Sequence, residues 1–246
     1  MKASVLNRVF VWTLRPVRSL AHQGVVDLPY PSTLLDFCDA NSRYTSPVRL
    51  TIDGCRADPN CAYYRIQFDF DISAALTECR ALEPLYCDHR SEDRTCGYEH
   101  RGWQSLTLHG IDKHKTKHFT HYGFTSFEDA GYHWTDVCTQ APTLCNFLRA
   151  LPYARFHRVR IMKLAPGGYI MPHQDGEGRA FGPLNIAINN PPGCRFVIRG
   201  GGVVPFEPGI GMVLDVARTH AVINQSDEAR YHVIVHGEYA PHMRYL

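Results

Sequence analysis

Residues 158–175 read RVRIMKLAPGGYIMPHQD. Val159, Ile161 and Leu164 give the first part strand character, and Pro166-Gly167-Gly168 interrupts it before a second run, Tyr169 to His173. The text predicts two short β-runs joined by a turn. Side chains two apart on a strand share a face. His173 and Asp175 should therefore project together from one strand end. An imidazole and a carboxylate so placed are two thirds of a 2-His-1-carboxylate facial triad, which leaves iron(II) open positions for substrates and oxygen. His220 is the best candidate for the third ligand, with His232 and His236 as fallbacks. With 14 His and 24 acidic residues in the chain, H-x-D also arises by chance, and the plain alternative is a solvated strand end.

The flanking text supports a β-rich setting. Short apolar runs alternate with Gly/Pro turns: Leu184–Asn189, Arg195–Arg199, Gly211–Val216, His220–Asn224 and Arg230–Gly237. With the two runs above they predict a sandwich or jelly roll. In the run 184–189, Leu184, Ile186 and Ile188 should share one face, and Asn185, Ala187 and Asn189 the other. Gly200-Gly201-Gly202 has no Lys-Ser/Thr after it and is read as a turn, not a phosphate loop.

Turn chemistry at Asn224–Asp227 suggests a hairpin centred on Gln225. That hairpin would set His220 opposite Arg230, about 5 Å apart between Cα atoms. A guanidinium there is suited to grip a carboxylate through two parallel hydrogen bonds. The same construction about Pro166-Gly167 would set Arg160 opposite His173. For Arg160 two readings stay open, a pocket role and a charge on an exposed face.

Upstream the text is less specific. Val48–Ile52 and Tyr63–Phe68 alternate like strands, and Ser73–Leu85 reads as a helix with Ser73 as its cap. Trp103–Leu108 is a predicted strand. His109, His114, His118 and His121 then fall in a lysine-rich stretch read as a solvated loop. Asp136–Leu151 is a predicted helix that Pro142 divides or starts, with Leu144, Phe147, Leu148 and Leu151 toward the core.

Composition narrows the class. A chain of 246 residues, 44% hydrophobic, is long enough for one compact domain or a domain with an extension. We expect residues 1–100 to pack on and shape the pocket of a core formed by residues 101–246. A net charge of +2 argues against a nucleic-acid partner, and no apolar run reaches the roughly 18 residues of a membrane helix. Nine cysteines without a C-x-x-C pair, and an N-terminus lacking a long apolar core, suggest reduced thiols and a cytoplasmic protein.

Taken together, PGGYIMPHQD, LNIAINNPPGCRFVI and HAVINQSDEARYHVIV resemble the aspartyl/asparaginyl β-hydroxylase branch of the Fe(II)/2-oxoglutarate-dependent dioxygenases. GWQSLTL and DVCTQAPTLCNFLRALP upstream extend the resemblance over roughly residues 102–237. It implies a mostly β chain with flanking helices, built on a double-stranded β-helix of the jelly-roll, cupin-like kind. It implies His173, Asp175 and His220 on iron(II), Arg230 on the far carboxylate of 2-oxoglutarate and Asn185 near the other carboxylate, with O2 as co-reactant. The animal protein hydroxylases of this branch lack the metal-binding carboxylate that Asp175 supplies. They are membrane-anchored, and they carry basic and histidine residues where Pro183 and Asn185 stand here.

Those differences point to hydroxylation of an unactivated C–H in a free amino acid or amino-acid-like metabolite. Arg158, Arg160 and Arg179 are candidates for its carboxylate, and Trp103, Trp134, Tyr122 and Tyr132 for the pocket wall. The alternatives are a peptide or protein aspartyl or asparaginyl β-hydroxylase and a non-catalytic cupin-like binding module. Desaturation and cyclisation stay open as outcomes. The oligomeric state is not legible.

Overall fold

In the computed structural model, Tyr153–His173 form one uninterrupted strand of 21 residues. The chain bends at Pro166-Gly167-Gly168 without reversing, so the hairpin expected there is absent. The structure describes residues 30–47, 49, 52–89, 97–175 and 181–240. The N-terminal segment examined for targeting, together with Arg179, lies outside them.

The elements in order are α1 (Ser32–Ser42), α2 (Ile52–Ala57), β1 (Tyr63–Gln67), α3 (Ile72–Ala81), β2 (Cys87–Asp88), β3 (His100–Gly110), α4 (Phe127–Ala130), β4 (His133–Trp134) and α5 (Pro142–Arg149). There follow β5 (Tyr153–His173), β6 (Phe181–Ala187), β7 (Cys194–Ile198), β8 (Gly202–Val203), β9 (Ile210–Asp215), β10 (His220–Asn224) and β11 (Arg230–Tyr239). Strand neighbours run β1-β9-β6-β11-β5-β10-β7-β8, and β3 pairs along β5 as well.

β5 organises the rest. β3 lies beside it on both sides of the bend, with Leu106 opposite Ile161 and His100 opposite Ile170. β10 and β11 are both antiparallel to β5, one pairing its second half and the other its first. They therefore run in the same direction and are not a hairpin. His220 pairs with His173, and Arg230 pairs with Leu164. Arg160 lies opposite Ile234 and Thr107, not opposite His173. The reason is that beyond β5 the sheet divides. β10 goes on to β7 and β11 to β6, making the two leaves of a double-stranded β-helix.

The joint between β10 and β11 is pinned by Asn224, which is fully buried. Its Nδ2 donates to the carbonyls of Leu164 (3.1 Å), Ala165 (3.1 Å) and Glu228 (2.8 Å). Its Oδ1 accepts from Ser226 Oγ at 2.6 Å. Carbonyls left bare by the departing strands thus regain partners.

The bend itself requires small residues. Gly167 has φ 69° and Gly102, on the facing strand, φ 66°. A Cβ on Gly168 would lie 2.8 Å from the Ala165 carbonyl oxygen and 2.9 Å from that of Arg101.

Helices cover the outer faces of both leaves. Ile161, Leu184, Ile186, Tyr231, Val233 and Val235 pack with Ala75 and Cys79 of α3 and Leu144 and Leu148 of α5. On the other leaf Tyr169, Val197, Ala221 and Ile223 pack beneath Leu34 and Cys38 of α1. Each fully buried aliphatic side chain contributes about 1.5–3 kcal/mol.

α3 also caps α5. The Glu78 carboxylate accepts from the backbone N–H of Thr143 (2.8 Å) and Leu144 (2.9 Å), where a negative charge suits a helix start. Pro142 opens α5, as its spacing suggested, and a separate 3₁₀ turn holds Asp136–Thr139.

Two upstream expectations change. Asp71, not Ser73, caps α3, accepting from the Ala74 N–H. Ile52 begins a helix, while Val48, Leu50 and Thr51 lie outside the described residues. The described cysteines are free thiols. Among the described residues no helix is long and apolar enough to cross a membrane.

Candidate active site

The inner faces of the two leaves enclose a cavity of about 380 Å³. At one end stand His173, the last residue of β5, and His220, the first of β10. As register partners they hold their ring centroids 4.2 Å apart. Each ring is fixed by the carbonyl two residues before it. His173 Nδ1 lies 2.8 Å from the Met171 carbonyl oxygen, and His220 Nδ1 lies 2.9 Å from that of Arg218. A carbonyl only accepts, so both Nδ1 atoms carry the proton and both Nε2 lone pairs are left for a metal.

Asp175 completes the group. Its Oδ1 is 3.9 Å from His173 Nε2 and its Oδ2 is 3.8 Å from His220 Nε2. Its backbone N–H donates to Val216 (2.9 Å), and neighbouring Gln174 donates through Nε2 to Ala217 (2.7 Å). Two donors that each bind an ion at about 2.1 Å lie at most about 4.2 Å apart, so both carboxylate–imidazole pairs can share one ion. Among the described residues this is the one set of three or more such side chains within 4.8 Å of one another. Burial lowers the His220 pKa and favours the neutral imidazole that a metal needs.

Two aromatic rings that the sequence reading missed wall in these imidazoles. Tyr98 stacks on His173 with centroids 3.8 Å apart and planes at 16°. Phe196 stacks on His220 at 5.3 Å and 10°. Alternation in RFVI could have placed Phe196 inward; nothing local marks Tyr98, which sits in polar text.

Arg230 lines the same cavity at 1% exposure, with its guanidinium 4.7 Å above the Phe206 ring. Nη1 bonds to His232 Nδ1 at 3.2 Å, whereas the buried Nη2 has no partner. Among the described residues no carboxylate pairs with this cation. A buried, unpaired charge is costly. An anionic group arriving in the cavity would relieve it. Met162, Leu164, Phe196 and Val222 supply the apolar lining.

Asn185 also lines the cavity, and its Nδ2 donates to the Pro183 carbonyl at 3.0 Å. The alternation of β6 holds: Leu184 and Ile186 enter the core beneath the helices while Asn185 turns inward.

Arg158 and Arg160 both line the cavity and are not solvated charges. Their Nη1 atoms donate to one carbonyl, that of Thr116, at 3.3 and 2.9 Å. Arg160 Nη2 also meets His236 Nε2 at 3.2 Å. The two guanidiniums staple the 112–118 loop to β5 and bring Lys117, His118 and His121 to the cavity wall. The histidines expected in a solvated loop are therefore partly wall, and His109 is buried at the end of β3.

Trp103 lines the cavity beside His89, the rings 4.1 Å apart. Trp134 stands apart from it, packed edge-on against His109 at 5.0 Å beneath the Arg149 guanidinium. Tyr132 packs against Phe127, and Tyr122 braces the loop by accepting from the Lys117 N–H at 3.2 Å.

The aspartyl/asparaginyl β-hydroxylase family model matches residues 71–238. No curated protein matches the chain. Among solved structures, a non-heme alpha-ketoglutarate-dependent carbocyclase, SnoK of nogalamycin biosynthesis, aligns at 14% identity and TM-score 0.45, covering 78% of this chain and 87% of its own. A prolyl hydroxylase from Trichoplax adhaerens, in complex with a hypoxia-inducible-factor peptide, aligns at 11% identity and TM-score 0.45, covering 87% and 90%.

Proposed function

This chain belongs to the aspartyl/asparaginyl β-hydroxylase family, a branch of the Fe(II)/2-oxoglutarate-dependent oxygenases, and on that premise we propose that it hydroxylates a free amino acid or a small amino-acid-like anion. The observation that carries the substrate class is the charge of the cavity. Among the described lining residues Asp175 is the only carboxylate, against Lys117, Arg158, Arg160 and Arg230. The volume, about 380 Å³, is near the lower end of the ~300–1,000 Å³ typical of small-molecule sites, and the cosubstrate must share it.

In this reading His173, Asp175 and His220 hold the iron. Bound there, iron(II) supplies oxygen chemistry that couples decarboxylation of 2-oxoglutarate to hydroxylation of a C–H bond. The protein's own part is binding and orientation. Met171 and Arg218 carbonyls fix which imidazole nitrogen faces the metal. Arg230 receives the far carboxylate of the cosubstrate, and Asn185 lies within the same lining. Arg158 and Arg160, with the 112–118 loop they hold, set a positive wall toward a substrate carboxylate. Met162, Leu164, Phe196 and Val222 give a substrate's carbon chain an apolar surface to lie against. The buried Nη2 of Arg230 has no partner, whereas both Nη atoms of Arg160 are bonded, which favours Arg230 over Arg160 for the cosubstrate.

The experiment is a screen of the standard amino acids and their common derivatives with iron(II), 2-oxoglutarate and oxygen. Substrate-stimulated succinate release and a mass gain of one oxygen on an anionic amino acid are expected. Modification of Asp- or Asn-containing peptides alone would establish the protein-hydroxylase alternative instead.

A further inference from the structure

Four side chains of β11 face the cavity in alternation: Arg230, His232, Ile234 and His236. His232 belongs neither to the metal group nor to the cationic wall. It is 6% exposed, and its Nδ1 lies 3.2 Å from Nη1 of Arg230. A guanidinium nitrogen only donates. Nδ1 is therefore the acceptor, and the ring proton of the neutral imidazole sits on Nε2. Burial, with Arg230 and Arg160 close by, keeps that imidazole neutral. The bond at Nδ1 is the one hydrogen bond of the His232 side chain among the described residues, which leaves Nε2 without one, and the buried Nη2 of Arg230 has no partner either. One strand face thus carries two donors on a hydrogen-bonded pair, and the protein offers them no acceptor.

We propose that His232 is the second member of the clamp on the far carboxylate of 2-oxoglutarate, orienting Arg230 through Nδ1 and presenting Nε2–H to the same carboxylate. This rests on the reading of Arg230 as the cosubstrate anchor. A side chain that merely filled space here would need no nitrogen at either ring position. An acceptor at Nδ1 also fixes which edge of the guanidinium is left over, and a planar fork of donors is only as selective as its orientation.

The test compares 2-oxoglutarate with 2-oxovalerate, which keeps the chelating end and lacks the far carboxylate. Binding is measured by calorimetry on oxygen-free, Mn(II)-loaded protein. Wild type should prefer 2-oxoglutarate. His232→Leu should weaken 2-oxoglutarate about tenfold or more and leave 2-oxovalerate unchanged. His232→Asn, which retains an acceptor for Arg230, should recover part of the loss. In turnover, KM for 2-oxoglutarate should rise while kcat at saturation is kept.

If wild type shows no preference between the two acids, the reading of Arg230 fails and this inference with it. If wild type prefers 2-oxoglutarate and His232→Leu keeps the full preference, the inference about His232 alone is overturned. Should His232→Leu not fold, nitrogen-15 histidine spectra of Zn(II)-loaded wild type decide. One Nε2–H signal should move with 2-oxoglutarate and stay with 2-oxovalerate, and an unmoved signal overturns the proposal.

Discussion

His173 and His220 are direct register partners on antiparallel strands, yet they lie 47 residues apart in the chain and each is oriented by the carbonyl two residues before it. Metal binding therefore depends on strand pairing as much as on the ligands. Replacing His173, Asp175 or His220 by Ala should remove stoichiometric iron, seen by elemental analysis, and reduce succinate release to background. Chelation of wild type should do the same, and added iron(II) should restore it. A His173→Ala protein with wild-type turnover would place the metal elsewhere.

Arg230→Met should raise the 2-oxoglutarate requirement far more than the substrate requirement. Losing a hydrogen bond to a charged partner costs about 1.5–3 kcal/mol, which is roughly tenfold or more in affinity. Arg230→Lys should not restore it, because a point charge cannot reproduce the planar fork. Steady-state KM values for both substrates decide; an unchanged 2-oxoglutarate KM sinks the assignment.

Asn224→Ala should destabilise the fold by about 1–3 kcal/mol, since it strips a fully buried amide from three carbonyls. Urea unfolding should show a lower midpoint with an unchanged slope. Asn224→Asp should be no better, as it keeps the acceptor and loses the donors. A midpoint equal to wild type would mean that the joint is held by its neighbours.

Stability should fall on mild acidification. Burial, reinforced by Arg230 and Arg160 for His232 and by Arg160 and Arg158 for His236, lowers both pKa values well below 6.5 in the fold. The unfolded chain then takes up protons that the folded one refuses, so the stabilisation is full above about pH 6.5 and is lost as pH drops toward the folded values. Each group contributes at most about 1.4 kcal/mol per pH unit in that window. Urea midpoints at pH 7.5 and pH 5.5 check this, and His236→Gln should flatten the dependence. An equal slope in the variant would remove His236 from the account.

Much of the fold was legible because its signals are local. The runs after Tyr153 alternate or are flanked by turn residues, and the runs 195–199, 211–216, 220–224 and 230–237 match β7, β9, β10 and β11 to within two residues, whereas β5 begins six residues before Val159 and β6 three before Leu184. H-x-D needed only the two-residue period of a strand. What failed was pairing. Turn residues at Pro166-Gly167 and at Asn224–Asp227 suggested reversals, but one marks a bend within β5 and the other a handover between strands running the same way. No local rule separates a reversal from a bend, because the outcome depends on β3 and β5 turning the corner together with glycines on both. Asn224 was read as a turn residue, although its side chain serves carbonyls some 60 residues earlier. Arg160 was legible as a cation and not as a staple, since its acceptor, Thr116, sits in a loop with no pattern.

The continuity of β5 across both leaves has one more effect. His173 and Leu164, the register partner of Arg230, belong to the same strand, joined through a corner whose glycine has no room for a Cβ. In the proposed reading the backbone thus sets the spacing between the metal group and the root of the Arg230 side chain, and His232 then sets the guanidinium. A dicarboxylate bound as proposed would be measured against that spacing before any chemistry begins. Oxaloacetate, one carbon shorter, and 2-oxoadipate, one carbon longer, should each reach one end and miss the other, and neither should support oxygen insertion into the substrate, with release of malonate or glutarate, at concentrations where 2-oxoglutarate saturates.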